Sequence, residues 1–281
     1  MPSDPARVAT QRVTTTLASF KGEQSRAAPA IHQLVRLRAG TWRSSRSGGV
    51  MFWLEPHEAP SRPRRGSPRM FRVDWIERYL SRVRPLHVLV VWGPVMLWFL
   101  VRAVRTPGVG PRGALGSFLV GVLAWTLLEY VLHRWVFHFQ PDPRSELQRD
   151  LSFIIHGVHH DSPYDPDRLV MPPIAAVLLA FAIGIPLRAV AGPSVFPGLF
   201  AGLVGGYLWY DMTHYAVHHL DQHTAFGRLQ RRNHLVHHFT QPDARFGVTT
   251  PIWDICFGTY PASTKAVVHQ RPAAQPEGEG H

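Results

Sequence analysis

The chain has 281 residues with 45% hydrophobic and 17% charged side chains, against about 25% charge in an ordinary soluble domain. Its single cysteine, Cys256, excludes a disulfide framework and any cysteine-based metal site. The net charge of +11 is concentrated at the front: residues 1–85 hold 16 Lys+Arg and 6 Asp+Glu, so a membrane headgroup fits that excess better than nucleic acid.

Residues 1–69 read as a basic, disordered segment rich in Arg, Ser, Pro and Ala. Such composition buries too little apolar surface to offset chain entropy. No apolar stretch suited to a secretory signal follows Met1. An over-extended reading frame is an equal alternative, with Met51 or Met70 as the initiator. Residues 70–85 form an amphipathic element suited to the interface. Trp75, Ile76, Tyr79, Leu80 and Val83 recur at helical spacing, opposite Glu77, Arg78 and Arg82.

Residues 86–262 form the membrane domain. Four apolar segments are predicted: Leu86–Val101, broken by Pro94; Leu115–Phe139; Met171–Leu187; and Val195–Tyr210. A span needs roughly 20 apolar residues, so some are marginal alone, but four in succession predict an all-α, integral-membrane four-helix base. Arg188 marks a tight hairpin tip between the last two. Four spans put both termini and the loop between segments two and three on one side. The basic front marks that side as cytoplasmic, although Arg102, Arg105 and Arg112 then lie outside. Residues 263–281 read as a disordered tail.

Twelve of the 17 histidines lie between positions 133 and 238. His133 and His138 bracket the end of the second segment. His156, His159 and His160 form H-x-x-H-H, and His234, His237 and His238 repeat it. His214 and His218 follow the fourth segment, with His219 and His223 beyond them. Positions i, i+3 and i+4 share a helix face, so the two H-x-x-H-H sets each project as a cluster, and four spans put all the groups on the cytoplasmic side where they can converge. Clustered imidazoles repel when protonated and ligate metals when neutral. Ten such rings exceed one tetrahedral zinc site and match two adjacent metals with about five ligands each, as in a redox pair that activates dioxygen. Asp150, Asp161, Asp211 and Asp254 are candidates to orient the rings. Glu129, costly in an apolar span, is either functional or paired with Arg134 or another span.

These residues resemble the fatty acid hydroxylase and sterol desaturase superfamily, closest to its fatty acid 2-hydroxylase branch. The resemblance covers about 115–260. It rests on His133-Arg-Trp-Val-Phe-His138, on His156-Gly-Val-His-His160 running through Pro163, Asp165 and Asp167 into Arg168-Leu-Val-Met-Pro-Pro173, and on Gly206-Tyr-Leu-Trp-Tyr-Asp211 leading to His214 and His218. The remaining stretches are His234-Leu-Val-His-His-Phe239 and Phe246-Gly-Val-Thr-Thr-Pro-Ile-Trp-Asp254 up to Phe257-Gly-Thr259.

The resemblance implies a cytoplasmic helical cap holding two iron ions, which zinc can replace in purified protein. It implies one ion on His133, His156, His159, His234 and His237, and the other on His138, His160, His214, His218 and His238. His219 and His223 fall outside the set as outer candidates, beside Asp211 and Asp254. The implied reaction is O2-dependent hydroxylation of a fatty acyl chain at C2, with Trp253, Phe246, Thr249 and Thr250 lining the approach. Residues 1–85 do not look like a fused cytochrome b5 domain, so a separate cytochrome b5-like or ferredoxin-like donor supplies electrons. Alternatives on the same core are desaturation, sterol-methyl oxidation or carotenoid hydroxylation. An alternative of another class is a histidine-rich metal transporter. Nucleic acid is not expected as a partner.

Overall fold

A computed structural model describes residues 67–263, so the expectations for 1–66 and 264–281 lie outside the described residues. The described chain is all-helical. A short element, α1, is an α turn at Asp74–Ile76 passing into a π turn at Glu77–Ser81. Two long helices follow, α2 (Pro85–Arg105) and α3 (Gly110–Val131), the latter extended by a π turn over Leu132–Phe137. Next, α4 runs Glu146–Ser152, then a π turn Phe153–Gly157, then Val158–Asp161. The last elements are α5 (Pro173–His219), α6 (Ala225–Phe239) and the short α7 (Ile252–Cys256).

Among the described residues, three helices are long and apolar enough to cross a membrane: Pro85–Arg105, Gly110–Phe137 and Pro173–His219. Their outward faces carry exposed side chains such as Leu97, Leu119, Phe181 and Ile185, which a lipid solvent makes favourable. The chain is a multi-pass membrane protein. Helix α2 continues through Pro94 rather than breaking there, and ends at Arg105 instead of Val101.

The third and fourth predicted segments are joined in one 47-residue helix whose only non-helical residue, Gly192 (φ 72°, ψ 170°), folds it back on itself. A positive φ of this kind suits glycine. The turn therefore lies at Gly192 rather than Arg188. Both arms then run side by side: a Cβ at Gly184 would stand 3.0 Å from the Phe200 ring, and Arg188 lies over Phe196 at 5.8 Å. The four apolar arms are thus α2, α3 and the two halves of α5. The second half also runs past Tyr210 to His219.

The core sits where α3 and the second half of α5 meet. Gly198, Gly202 and Gly206 recur every four residues and let the backbones touch. A Cβ at Gly202 would lie 2.0 Å from the Phe118 carbonyl oxygen, and one at Gly121 would lie 2.2 Å from that of Leu199. Towards the histidine end this contact widens into an aromatic column. Trp92 and Trp125 pack on Tyr207 at 5.8 and 5.4 Å, and Tyr210 packs on His214 at 5.6 Å.

At the junction of base and cap, α1 is fastened to the segment before α5. Glu77, expected on the polar face, is buried. It bonds Arg168 and accepts the backbone N–H groups of Met70 and Phe71 at 3.0 and 3.1 Å. Arg168 also bonds Asp165 at 3.0 Å, while Asp167 takes Arg84 at 2.8 Å and its carbonyl accepts from Val83 N–H at 2.6 Å. Burial raises the Glu77 pKa, but these donors and the Arg168 charge outweigh it and hold the carboxyl below its ordinary 4.5.

Candidate metal centre

The ten histidines meet at one end of the bundle in two groups of five: His133, His138, His156, His160 and His237; and His159, His214, His218, His234 and His238. This is the set expected from spacing, but its division is not the one the resemblance implied. His138 and His160 join His133, while His159 and His234 join His214. The reason is local geometry. In an α-helix, residues four apart lie about 40° apart around the axis, and residues three apart about 60° on the opposite flank. Hence His156 and His160 share a group and His159 turns to the other. In the second box, His234 and His238 share a group and His237 turns away. His214 and His218, also four apart, stay together.

His133 and His138 are five apart, the wrong spacing for one face of an α-helix. The π turn corrects this: the His138 N–H bonds the His133 carbonyl at 3.1 Å, an i to i+5 closure. A second π turn carries His156. The N-terminus of α4 is capped by Ser145, which accepts from Gln148 N–H at 3.3 Å. That of α6 is capped by Thr224, which accepts from Gly227 N–H at 3.0 Å.

Within each group the rings face one another through Nε2. The separations are 3.2 Å for His133–His156, 3.1 Å for His156–His160 and 3.0 Å for His138–His237. In the other group they are 3.0 Å for His159–His214, 2.8 Å for His218–His234 and 3.0 Å for His234–His238. All five donor atoms of a group lie within 4.8 Å of one another. Two imidazole nitrogens, each about 2.0–2.1 Å from one ion, stand about 3 Å apart, so the donor set fits a metal ion in each group. Burial, then the neighbouring imidazoles, hold His138, His156, His159, His160, His234 and His238 well below the ordinary 6.5. Burial brings His237 down to about 4, against the opposing pull of the Ala244 carbonyl. These rings are neutral and ligand-ready at neutral pH.

The loop between α6 and α7 braces the first group. His133 Nδ1 donates to the Phe246 carbonyl at 2.5 Å and His237 Nδ1 to that of Ala244 at 2.7 Å. Asp254 holds this loop: it accepts from Phe246 and Gly247 N–H, both at 2.8 Å, and from the Thr259 hydroxyl at 2.7 Å. Glu129 holds it from the membrane side. It accepts from Val248 N–H at 2.7 Å, Thr249 N–H at 2.9 Å and the Thr249 hydroxyl at 2.5 Å. Glu129 therefore does not pair with Arg134, which donates to Tyr130 at 2.8 Å. Arg245, at φ 60°, is buried in the same loop against Gln241, Asn233 and Tyr260.

The outer candidates have other places. Asp254 acts on His133 through the loop, and Asp211 accepts from Met171 N–H at 3.3 Å, so neither hydrogen-bonds an imidazole among the described residues. His219 packs on Tyr215 at 4.7 Å, and the exposed His223 lends its carbonyl to Arg228; both stand outside the two groups. Asp150 is buried, and Asp161 ends α4. Thr249 is enclosed by Glu129, and Trp253 donates to Thr126 at 2.9 Å. Phe246 wedges against His133, His138 and His237 at 5.6–5.7 Å. Thr250 accepts from Ile252 N–H at 3.3 Å. The carbonyls of Ala244 and Phe246 carry no side-chain signal in a sequence, and spacing alone could not have found them.

The model of the family described as fatty acid hydroxylase matches residues 118–259, which enclose all ten histidines. A dihydroceramide fatty acyl 2-hydroxylase of Arabidopsis thaliana is 39% identical over 199 residues, 71% of this chain and 82% of the relative. A fatty acid 2-hydroxylase of Homo sapiens is 33% identical over 72% of this chain and 58% of its own length. The solved structure of full-length scs7p, with only its hydroxylase domain visible, superposes with a TM-score of 0.67 at 35% identity, covering 74% of this chain and 78% of that one. With a family model matched across all ten histidines and a relative 39% identical over 82% of its length, the chain belongs to the fatty acid hydroxylase family.

Proposed function

We propose that this chain is a membrane-bound di-iron oxygenase that hydroxylates a fatty acyl chain at C2. The observation that carries the reading is the meeting of ten Nε2 atoms in two groups at the end of an apolar bundle. His133, His138, His156, His160 and His237 would hold one ion, and His159, His214, His218, His234 and His238 the other. Bound iron supplies the dioxygen and C–H chemistry. In the overall balance one C–H becomes C–OH and the second oxygen atom leaves as water. Two electrons come from a separate cytochrome b5-like or ferredoxin-like donor and two protons from the aqueous medium. The names of the plant and mammalian relatives, both 2-hydroxylases, support C2 as the position.

The chain's own part is binding, orientation and the exclusion of water. The acyl substrate enters from the bilayer along the apolar arms. Phe246 covers one side of the first group and keeps water from its rings. Asp254 and Glu129 keep the bracing loop closed. On this reading residues 86–262 are the hydroxylase domain, residues 70–85 lie in the interface, and the histidine end faces the cytoplasm.

Expression in a host without hydroxylated lipids, followed by lipid mass spectrometry, tests the reading. Lipids gaining one oxygen at C2 are expected with the wild type and not with His159→Ala. Loss of two hydrogens without added oxygen would instead show a desaturase. Metal uptake without oxygen consumption would show a transporter.

A further inference from the structure

The two histidine groups present the same donor atoms but differ in what stands behind them. In the first, the ring nitrogens remote from the centre meet backbone carbonyls: His133 Nδ1 at Phe246 and His237 Nδ1 at Ala244. A carbonyl oxygen only accepts, so both rings carry their proton on Nδ1 and present a free Nε2 lone pair before any ion arrives. The carbonyls are themselves fixed, because Asp254 and Glu129 together accept six hydrogen bonds from the loop and its end: Phe246, Gly247 and Val248 N–H, Thr249 N–H and hydroxyl, and the Thr259 hydroxyl.

Three rings of the second group lack such a brace. The Nδ1 atoms of His214, His234 and His238 are buried and have no hydrogen-bond partner among the described residues. Without an ion these rings can keep the proton on Nε2 and share it with a neighbour, as the 2.8 and 3.0 Å contacts of His234 with His218 and His238 allow. Ligation forces the proton onto Nδ1, where no protein acceptor waits. An unsatisfied buried donor is costly, whereas an outer partner on a ligating histidine typically strengthens metal binding ten- to a hundredfold.

We infer that the two metal positions are unequal: the group containing His133 and His237 retains its ion, the group containing His214 and His234 exchanges its ion, and Asp254 and Glu129 are the positioning residues behind the difference. This rests on the proposal that the ten histidines hold two ions. The test is to saturate the full detergent-solubilised chain with zinc, titrate with a chelator and count bound zinc per chain. Release in two steps, separated at least tenfold in free zinc, is expected. His214→Ala should keep one ion at the tighter constant, and His237→Ala one ion at the weaker. Asp254→Asn and Glu129→Gln should weaken the tighter ion about tenfold and leave the weaker one unchanged, a selectivity that general destabilisation would not produce. Release of both ions in one step, or the opposite assignment by the two histidine variants, overturns the inference while leaving a two-ion centre. Fewer than two zinc ions at saturation overturns that proposal as well. The wild-type titration decides even where a variant does not fold.

Discussion

His159 and His160 are neighbours in the chain, with ring centroids 5.9 Å apart, yet their Nε2 atoms point into different groups: His159 meets His214 and His160 meets His156. Single alanine substitutions at these positions should each remove a ligand from a different ion. Pairing His159→Ala with His218→Ala should leave one zinc per chain, whereas pairing His159→Ala with His160→Ala should damage both positions. Metal analysis by mass spectrometry after gel filtration reads the difference directly. Equal stoichiometry in the two double variants would contradict the division.

Close backbone contact makes Gly202 intolerant of any side chain. Its Cβ would meet main-chain atoms, the Phe118 carbonyl oxygen at 2.0 Å and the Gly121 Cα at 2.8 Å. Overpacking of this sort costs about 1–3 kcal/mol or more. Gly202→Val should fall in thermal stability or fail to insert. Gly205→Ala, which meets only the Phe118 ring and the Met96 sulfur at 3.0 Å and beyond, should lose much less. Melting of the detergent-solubilised chains compares them.

Glu77 ties the front of the described chain to Arg168, with both side chains nearly inaccessible at 9% and 3%. Removing one member of a buried pair costs about 3–5 kcal/mol. Since Asp165 still faces Arg168, Glu77→Gln should lie near the lower end. The folded carboxyl is held below 4.5, so its stabilisation is complete above pH 4.5 and is lost as pH falls through the lower folded value. Wild-type melting temperature should therefore decline over that acid range, and Glu77→Gln should show a shallower decline.

Arg245 combines a left-handed backbone with a buried guanidinium. It donates to Gln241 at 2.9 Å and Asn233 at 3.0 Å and lies 4.2 Å over the Tyr260 ring. Arg245→Leu removes both donations and the contact with the Tyr260 ring and should cost about 2–3 kcal/mol. Because Ala244 and Phe246 flank it, loss of stability should come with weaker zinc binding, measured by melting and by zinc titration.

Much of the centre was legible in the sequence, because metal ligation demands histidine and helical spacing gathers it. Eight of the ten converging rings stand at such spacing, and His133 and His138 stand out instead by bracketing the end of the second apolar segment. Their division was not legible, because H-x-x-H-H does not say which ring turns to which flank. The spacing of His133 and His138 needs a π turn, which apolar periodicity does not reveal. Glu129 was marked by its cost in an apolar segment, but its partners are backbone N–H groups more than a hundred residues away. The hairpin was readable from the Arg188 gap, yet the turn fell at Gly192, where positive φ is cheapest.

The fold-back at Gly192 also sets an order of events during biosynthesis. Four ligands of the first group are translated before the hairpin and His237 after it, while His159 precedes the hairpin and its four companions follow. Neither coordination sphere can be completed on a nascent chain until both arms have entered the bilayer and α6 has emerged. A full set of five histidines is thus on offer to an ion only once the polypeptide is fully inserted.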